Sequence, residues 1–221
     1  MQISEIFYSI QGEGLLAGRP SVFIRLAGCP LRCNYCDTKY ALDPKAGTKM
    51  SVDEIMEKTM KHSPKYAVIT GGEPMFSPHI SLLCEKLKEQ KAHITIETAG
   101  IKFVPDIACD LMSISPKISN AYDNQPDKDR YLKIDELKKL IENYDYQLKF
   151  VVEKIEDITE VHQLVNALNG IDRLKVLLMP QAKNISQYTR ISPLIVEMCK
   201  ANGFTFSPRL QLVFGETEPV D

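Results

Sequence analysis

The chain has 221 residues, 44% hydrophobic and 25% charged, with a formal net charge of −2. That length suits one domain with a sizeable core, and the near-neutral balance excludes a global bias toward nucleic acid or a membrane surface. No apolar run approaches the ~18–20 residues needed to span a bilayer, no basic leader opens the sequence, and no Gly/Ser linker divides it, so a single domain over residues 1–221 is expected.

The opening residues 1–6 are strand-like, and the β-branched run 21–27 reads as a strand that delivers a loop at its C-terminal end. Ser51 with Glu54 three residues on is a capping box, opening a helix through about residue 62. A buried strand at 66–70 precedes a helix at 80–91, and further strands read at 93–98 and 110–115 before a helix at 134–144. A strand at 147–152, a helix at 157–168, a strand at 174–179 and a helix from about 193 to 201 follow, with a last strand over 204–214. Alternating strand and helix implies a parallel sheet. Six or so such units fall short of the ~250 residues typical of a closed eight-fold barrel. The expected form is an open, partial (β/α)6-type barrel.

Functional groups in such sheets gather at the C-terminal ends of the strands. Five polar clusters fall there: a cysteine-rich loop at 29–38, Gly71-Gly72-Glu73-Pro74, Glu97-Thr98-Ala99-Gly100, Ser115-Pro116-Lys117 and Met179-Pro180-Gln181. Residues 120–130 have turn composition without an apolar period, and read as a passive connection or as a lid over that rim.

Three of the six cysteines share one loop, Cys29-Pro-Leu-Arg-Cys33-Asn-Tyr-Cys36. Three thiolates are one short of a closed structural zinc site and of a four-cysteine iron–sulfur site. A C-x-x-C pair alone is common in zinc and redox motifs, but Cys84, Cys109 and Cys199 are scattered singly, as are the histidines. Cys84 and Cys199 lie in stretches of helical apolar spacing, where a free cysteine packs as a small hydrophobe. Clustered thiols without a secretory signal suit a reducing cytoplasm. A cubane on three cysteines leaves one iron open to another ligand.

That pattern, with Tyr35 just before the last cysteine, resembles the cluster loop of the radical S-adenosylmethionine (SAM) superfamily. The resemblance implies a 4Fe-4S cluster on Cys29, Cys33 and Cys36, with S-adenosyl-L-methionine on the open iron. In Gly71-Gly72-Glu73-Pro74, two glycines admit a ligand close to the backbone and Pro74 restricts Glu73 toward an extended conformation. By itself the segment is equally an ordinary tight turn. Downstream of the cysteine loop it resembles the element that holds SAM's amino group, with Glu73 or nearby carbonyls accepting from the ammonium.

Ile6-Phe7-Tyr8-Ser9-Ile10-Gln11-Gly12-Glu13-Gly14, then Phe23-Ile24-Arg25-Leu26-Ala27-Gly28-Cys29 and Cys36-Asp37-Thr38, resemble the 7-carboxy-7-deazaguanine synthase (QueE) family. Likeness continues through residues 70–74, 97–100 and 115–117, and so covers most of the chain. It implies a ring-contracting lyase of queuosine and deazapurine biosynthesis, converting 6-carboxy-5,6,7,8-tetrahydropterin to 7-carboxy-7-deazaguanine with loss of ammonia. A 5′-deoxyadenosyl radical from SAM would take a hydrogen from C6 of the pterin and return it after rearrangement.

The resemblance also assigns roles. Magnesium (Mg2+) would be held by Thr38, whose hydroxyl is a hard but modest ligand; taken alone, Thr38 reads as a turn-capping hydroxyl. Gln11, Gly12, Glu13, Arg25 and Thr98 would contact the pterin. Tyr35, Asp37, Gly71, Gly72, Glu73, Gly100, Ser115, Lys117 and Gln181 would lie against SAM. Arg25 sits mid-strand in an apolar run, where a buried charge must be paired. A substrate carboxylate is one apt bidentate partner, and a structural pair with Glu13 is the other. Lys149 is either a site residue or structural.

Residues 207–215 resemble the family's closing strand, but Gln211 stands where many members carry a histidine, and residues 216–221 replace a basic, Gly-rich end. The resemblance further implies a small-molecule substrate, a flavodoxin-like or other electron donor and a homodimer, with no direct nucleic-acid or membrane contact. A glycyl-radical-enzyme activase shares the cluster spacing and the Gly-Gly-Glu-Pro turn, and a non-enzymatic Fe–S or zinc protein shares the thiols. The Gln11-Gly12-Glu13-Gly14 loop and Arg25 speak instead for a small acidic heterocycle.

Overall fold

The computed structural model describes residues 1–122 and 128–215, with the backbone alone at 128 and 129. Its frame is one nine-stranded sheet in the order β3-β1-β2-β4-β5-β6-β7-β8-β9. The strands are β1 (Gln2–Ile10), β2 (Pro20–Leu26), β3 (Thr48–Lys49), β4 (Tyr66–Gly71), β5 (His93–Thr98), β6 (Leu111–Ile114), β7 (Tyr146–Val152), β8 (Val176–Pro180) and β9 (Thr205–Phe206). From β2 onward every pairing is parallel, while β1 and β3 are antiparallel. The end strands β3 and β9 do not pair with each other, so the barrel is open, as the βα count implies.

Successive side chains of a strand point to opposite faces, and here the two faces differ sharply. Ile24, Ile69, Ile96 and Met112 pair in one row, and Ile114, Leu148 and Val176 in the next, all fully buried. Helices α1 (Val52–Met60), α2 (Ile80–Glu89), α4 (Ile134–Asn143), α5 (Asp157–Leu168) and α6 (Ile185–Asn202) contribute their apolar stripes to the same core through Ile55, Leu83, Leu137, Val161 and Ile195. The opposite, concave face carries a polar row: Arg25 opposite Thr70, and Glu97 opposite Ser113 opposite Gln147.

Ser51 and Glu54 form the expected capping box at α1. Two elements depart from expectation. Helix α6 starts at Ile185, with Pro193 in its interior rather than at its head. Its N-cap is Asn184, whose side chain accepts from Gln187 N, while the Gln187 side chain accepts from Lys183 N. That reciprocal pair is a capping-box variant legible as Asn-x-x-Gln. The strand expected over 204–214 is only Thr205–Phe206, followed by a turn and helix α7 (Leu210–Phe214). Pro208 offers no N–H to a ladder, and Leu210 N donates instead to Gly12 O at 3.0 Å.

Cys84 and Cys199 are buried in the helix-side core as expected, and the Cys109 thiol donates to Ile94 O. Of the segment 120–130, residues 123–127 lie outside the described residues. Its flanks, Ala121, Tyr122 and Tyr131 (the last in the short helix α3, Lys128–Tyr131), join Leu31 and Ile101 in a second small core. No helix among the described residues is long and apolar enough to cross a membrane.

Candidate active site

The cysteine loop leaves the C-terminal end of β2 and is seated from two sides. On one side, Gly72 N donates to Leu26 O and Glu73 N to Gly28 O, both at 2.8 Å. A Cβ at Gly71 (φ +119°) would lie 2.2 Å from Leu26 O, and one at Gly72 only 2.0 Å from Gly28 O. The two glycines therefore make room for the backbone of the cysteine loop. On the other side, Cys29, Cys33 and Tyr35 pack against the small core, Asn34 N donates to Ala121 O at 2.9 Å, and Arg32 N donates to Tyr131 Oη at 3.3 Å.

All three thiols are free and half-buried. Burial pushes the Cys29 thiol up to about 11 and raises that of Cys33. Thiolate at these positions is favoured by bonding to a strong Lewis acid. Among the described residues no three Cys, His, Asp or Glu side chains converge on a single-ion point. Three thiols on one loop are one ligand short of a closed zinc site and match a cubane that keeps one iron open.

Glu73 is buried, and burial raises its pKa. Its carboxylate accepts from Thr98 Oγ1 (2.7 Å), Ala99 N (2.7 Å) and Met75 N (3.2 Å), so it staples the β4 and β5 loops together. Thr98 also accepts from Gly100 N at 3.0 Å. Lys117 Nζ donates to Ser115 Oγ at 2.9 Å and stands 5.9 Å from the centre of the Tyr35 ring. The Tyr35 and Tyr122 hydroxyls and Asn120 Oδ1 are buried without a partner among the described residues, leaving hydrogen-bonding capacity unspent beside the loop. Gln181 follows β8 on the same rim, its N–H bonded to Val152 O.

Thr38 precedes a 3-10 turn at Lys39–Ala41, yet its side chain makes no capping bond; its Oγ1 lies 3.8 Å from Cys36 Sγ. The hydroxyl is thus not spent on the turn.

The β1–β2 loop enters the concave face from the opposite, N-terminal end of the parallel strands. Gln11 Nε2 donates to Glu97 Oε1 at 3.2 Å, and Glu97 Oε2 accepts from Thr70 Oγ1 at 2.8 Å. Glu13 is gripped by Lys149 (2.5 Å), by Gln211 (2.7 Å) and, more loosely, by Arg209 (3.4 Å). Arg209 continues to Asp37 of the cysteine loop at 2.9 Å and to Ala182 O at 2.6 Å. Burial alone would raise the Glu13 carboxyl, but the Lys149 and Arg209 charges win and hold it at about 2. Burial pulls Lys149 the other way, yet the Glu13 and Glu97 charges raise it above the ordinary lysine value.

Arg25 is not paired with Glu13. Its Nε donates to Glu5 Oε1 at 2.5 Å, across the β1–β2 register. Glu97 was marked from the sequence only as part of a rim cluster with no role of its own, and Arg209, Glu5 and Tyr40 were given none. Glu97 carried a usable signal, a charge inside the apolar run 93–98; the other three meet their partners only through tertiary contacts.

A family model described as the radical SAM superfamily matches residues 23–163. The 7-carboxy-7-deazaguanine synthase of Rhodopirellula baltica is 37% identical over 95% of this chain and 84% of that protein. That of Pyrobaculum aerophilum is 37% identical over 96% of this chain and 94% of its own. The chain belongs to the 7-carboxy-7-deazaguanine synthase family of the radical SAM superfamily. A crystal structure of QueE from Escherichia coli superposes with a TM-score of 0.70 at 26% identity, over 93% of this chain and 92% of that one. A radical SAM family member carries a 4Fe-4S cluster and SAM, and the seated three-cysteine loop fits the first of them.

Proposed function

We propose that this enzyme converts 6-carboxy-5,6,7,8-tetrahydropterin to 7-carboxy-7-deazaguanine with loss of ammonia. One observation beyond family membership supports this most. The Arg25 guanidinium lies on the concave face with Nη1 and Nη2 bonded to no group among the described residues, in the same row as Thr70. A planar cation held by Nε alone suits a carboxylate, and the Glu97 and Gln11 side chains nearby offer acceptors and donors to a heterocycle edge.

When bound, the cluster on Cys29, Cys33 and Cys36 supplies the electron that activates SAM. The chain's own residues do the rest of the work: they bind, orient and exclude water. Ser115, Lys117, Tyr35 and the Gly72–Glu73 turn border the SAM side. The Lys149–Glu13–Arg209–Asp37 chain ties the substrate loop to the cysteine loop. Mg2+ is assigned to Thr38 because that hydroxyl caps no turn and meets only the Cys36 thiol. The electron donor is assigned as flavodoxin-like or of another class, the assembly as a homodimer, and the compartment as the reducing cytoplasm that free clustered thiols suit.

The test is anaerobic incubation of the iron-reconstituted protein with the pterin, SAM and a chemical reductant, followed by mass spectrometry. Formation of 7-carboxy-7-deazaguanine without net loss of SAM is expected. Stoichiometric 5′-deoxyadenosine with the pterin intact would overturn the proposal and favour action on a protein substrate.

A further inference from the structure

We infer that Glu5 and Tyr40 are positioning residues for the substrate carboxylate, fixing the Arg25 guanidinium in its receiving orientation; the inference rests on the assignment of Arg25 above. Glu5 and Arg25 face each other directly across the antiparallel β1–β2 pair. Arg25 Nε donates to Glu5 Oε1 at 2.5 Å, and Tyr40 Oη donates to the same oxygen at 2.7 Å. The guanidinium carbon lies 5.8 Å from the centre of the Phe7 ring, which stacks on Phe23.

An arginine used only as a structural partner commonly gives a carboxylate two parallel N–H bonds. Here the carboxylate engages Nε, and both terminal nitrogens stay unbonded among the described residues. The Arg25 side chain is 17% exposed and that of Glu5 37% exposed, so the fork is sheltered yet open. Tyr40 belongs to the turn that follows Thr38, so its hydroxyl ties the fork to the end of the cysteine loop. A long side chain with its rotamers already restricted loses less freedom when it binds.

Charge and orientation make opposite forecasts, which renders the inference testable. The Glu5 charge repels a substrate carboxylate, so through charge alone its removal would tighten binding. Through orientation, removal weakens it. Anaerobic calorimetry of 6-carboxytetrahydropterin, beside a tetrahydropterin lacking the carboxylate, separates the two.

Glu5→Ala is expected to weaken the carboxylated ligand by about fivefold to tenfold and to leave the other ligand unchanged. Glu5→Gln keeps an oxygen that accepts from both donors, and so should stay within about threefold of the parent. Tyr40→Phe removes one hydroxyl, folds independently of any Glu5 defect, and should cost about twofold to threefold. In an Arg25→Ala background, Glu5→Ala should add nothing. Wild-type or tighter binding in both Glu5→Ala and Tyr40→Phe, with Arg25→Ala still weakened, would overturn the inference alone. Unchanged binding in Arg25→Ala would overturn the Arg25 assignment and the inference with it.

Discussion

One residue apart along each central strand, the sheet changes from oil to charge. Ile24, Ile69, Ile96, Met112 and Leu148 face the helices; Arg25, Thr70, Glu97, Ser113 and Lys149 face the concavity. The helix side is held by contacts that any well-shaped hydrocarbon makes, and its register follows from burial. The concave side is held by pairs that demand one specific partner each: Lys149 with Glu13, Arg25 with Glu5, Thr70 with Glu97. Folding stability resides mostly in the first set, and the proposed chemistry in the second. Polar groups this buried are tolerated because nearly all have partners.

The largest effect expected lies at the rim where the two faces meet. Cys29→Ala, Cys33→Ala or Cys36→Ala should abolish cluster assembly and turnover, while Cys84→Ala and Cys199→Ala, on the helix side, keep both. Iron analysis and the anaerobic assay check this; near-normal iron in Cys33→Ala would break the distinction.

Adjacent residues of β7 offer a sharper test. Leu148→Ala should cost about 2–5 kcal/mol of stability and leave the folded enzyme's turnover unchanged. Lys149→Met leaves Glu13 with Arg209 and Gln211, so it should cost less, about 1–3 kcal/mol, yet turnover should fall. Adding Glu13→Gln to Lys149→Met should destabilise by less than the sum of the singles, because each removes the other's partner. Denaturant melts beside rate measurements separate the two.

The pH dependence of the same pair has a definite sign. The Glu13 carboxyl is held at about 2, below its ordinary value of 4.5. A depressed carboxyl contributes stability that is full above its ordinary range and is lost as pH falls toward the folded value. The stability gap between the parent and Glu13→Gln should therefore be level above about pH 5 and close toward about pH 2. A gap independent of pH would contradict an ionised Glu13.

The helix-facing side was legible in the sequence almost throughout, because period-two burial and βα alternation depend on neighbours along the chain. The cysteine spacing was legible for the same reason. What needed the structure were partners separated by long loops. Arg25 read as a charge needing a mate, but its mate is Glu5 across a hairpin and not Glu13. Glu13 in turn meets Lys149 and Arg209, more than 130 residues away. The closing segment looked apolar enough for a strand until Pro208 and the Leu210–Gly12 bond turned it into α7. That Gly71 and Gly72 also admit the backbone of the cysteine loop needed the structure, since Leu26 and Gly28 lie more than 40 residues away.

Thr38→Ala carries the smallest expected effect on the fold. Its hydroxyl makes no cap bond, so the melt should move by less than about 0.5 kcal/mol, and the loss should appear only as a vanished response to magnesium. A parent-like magnesium response would return Thr38 to the role of a turn residue.

Substrate affinity tests the division between the two faces most directly. Binding of 6-carboxytetrahydropterin should be measured by anaerobic calorimetry on the parent, Leu148→Ala and Arg25→Ala, each well below its melting temperature. Leu148→Ala should bind within about twofold of the parent, and Arg25→Ala weaker by about tenfold to a hundredfold with a melt lowered by no more than about 1 kcal/mol. Parent-like affinity in Arg25→Ala, or a comparable loss in Leu148→Ala, would contradict the concave face as the substrate site.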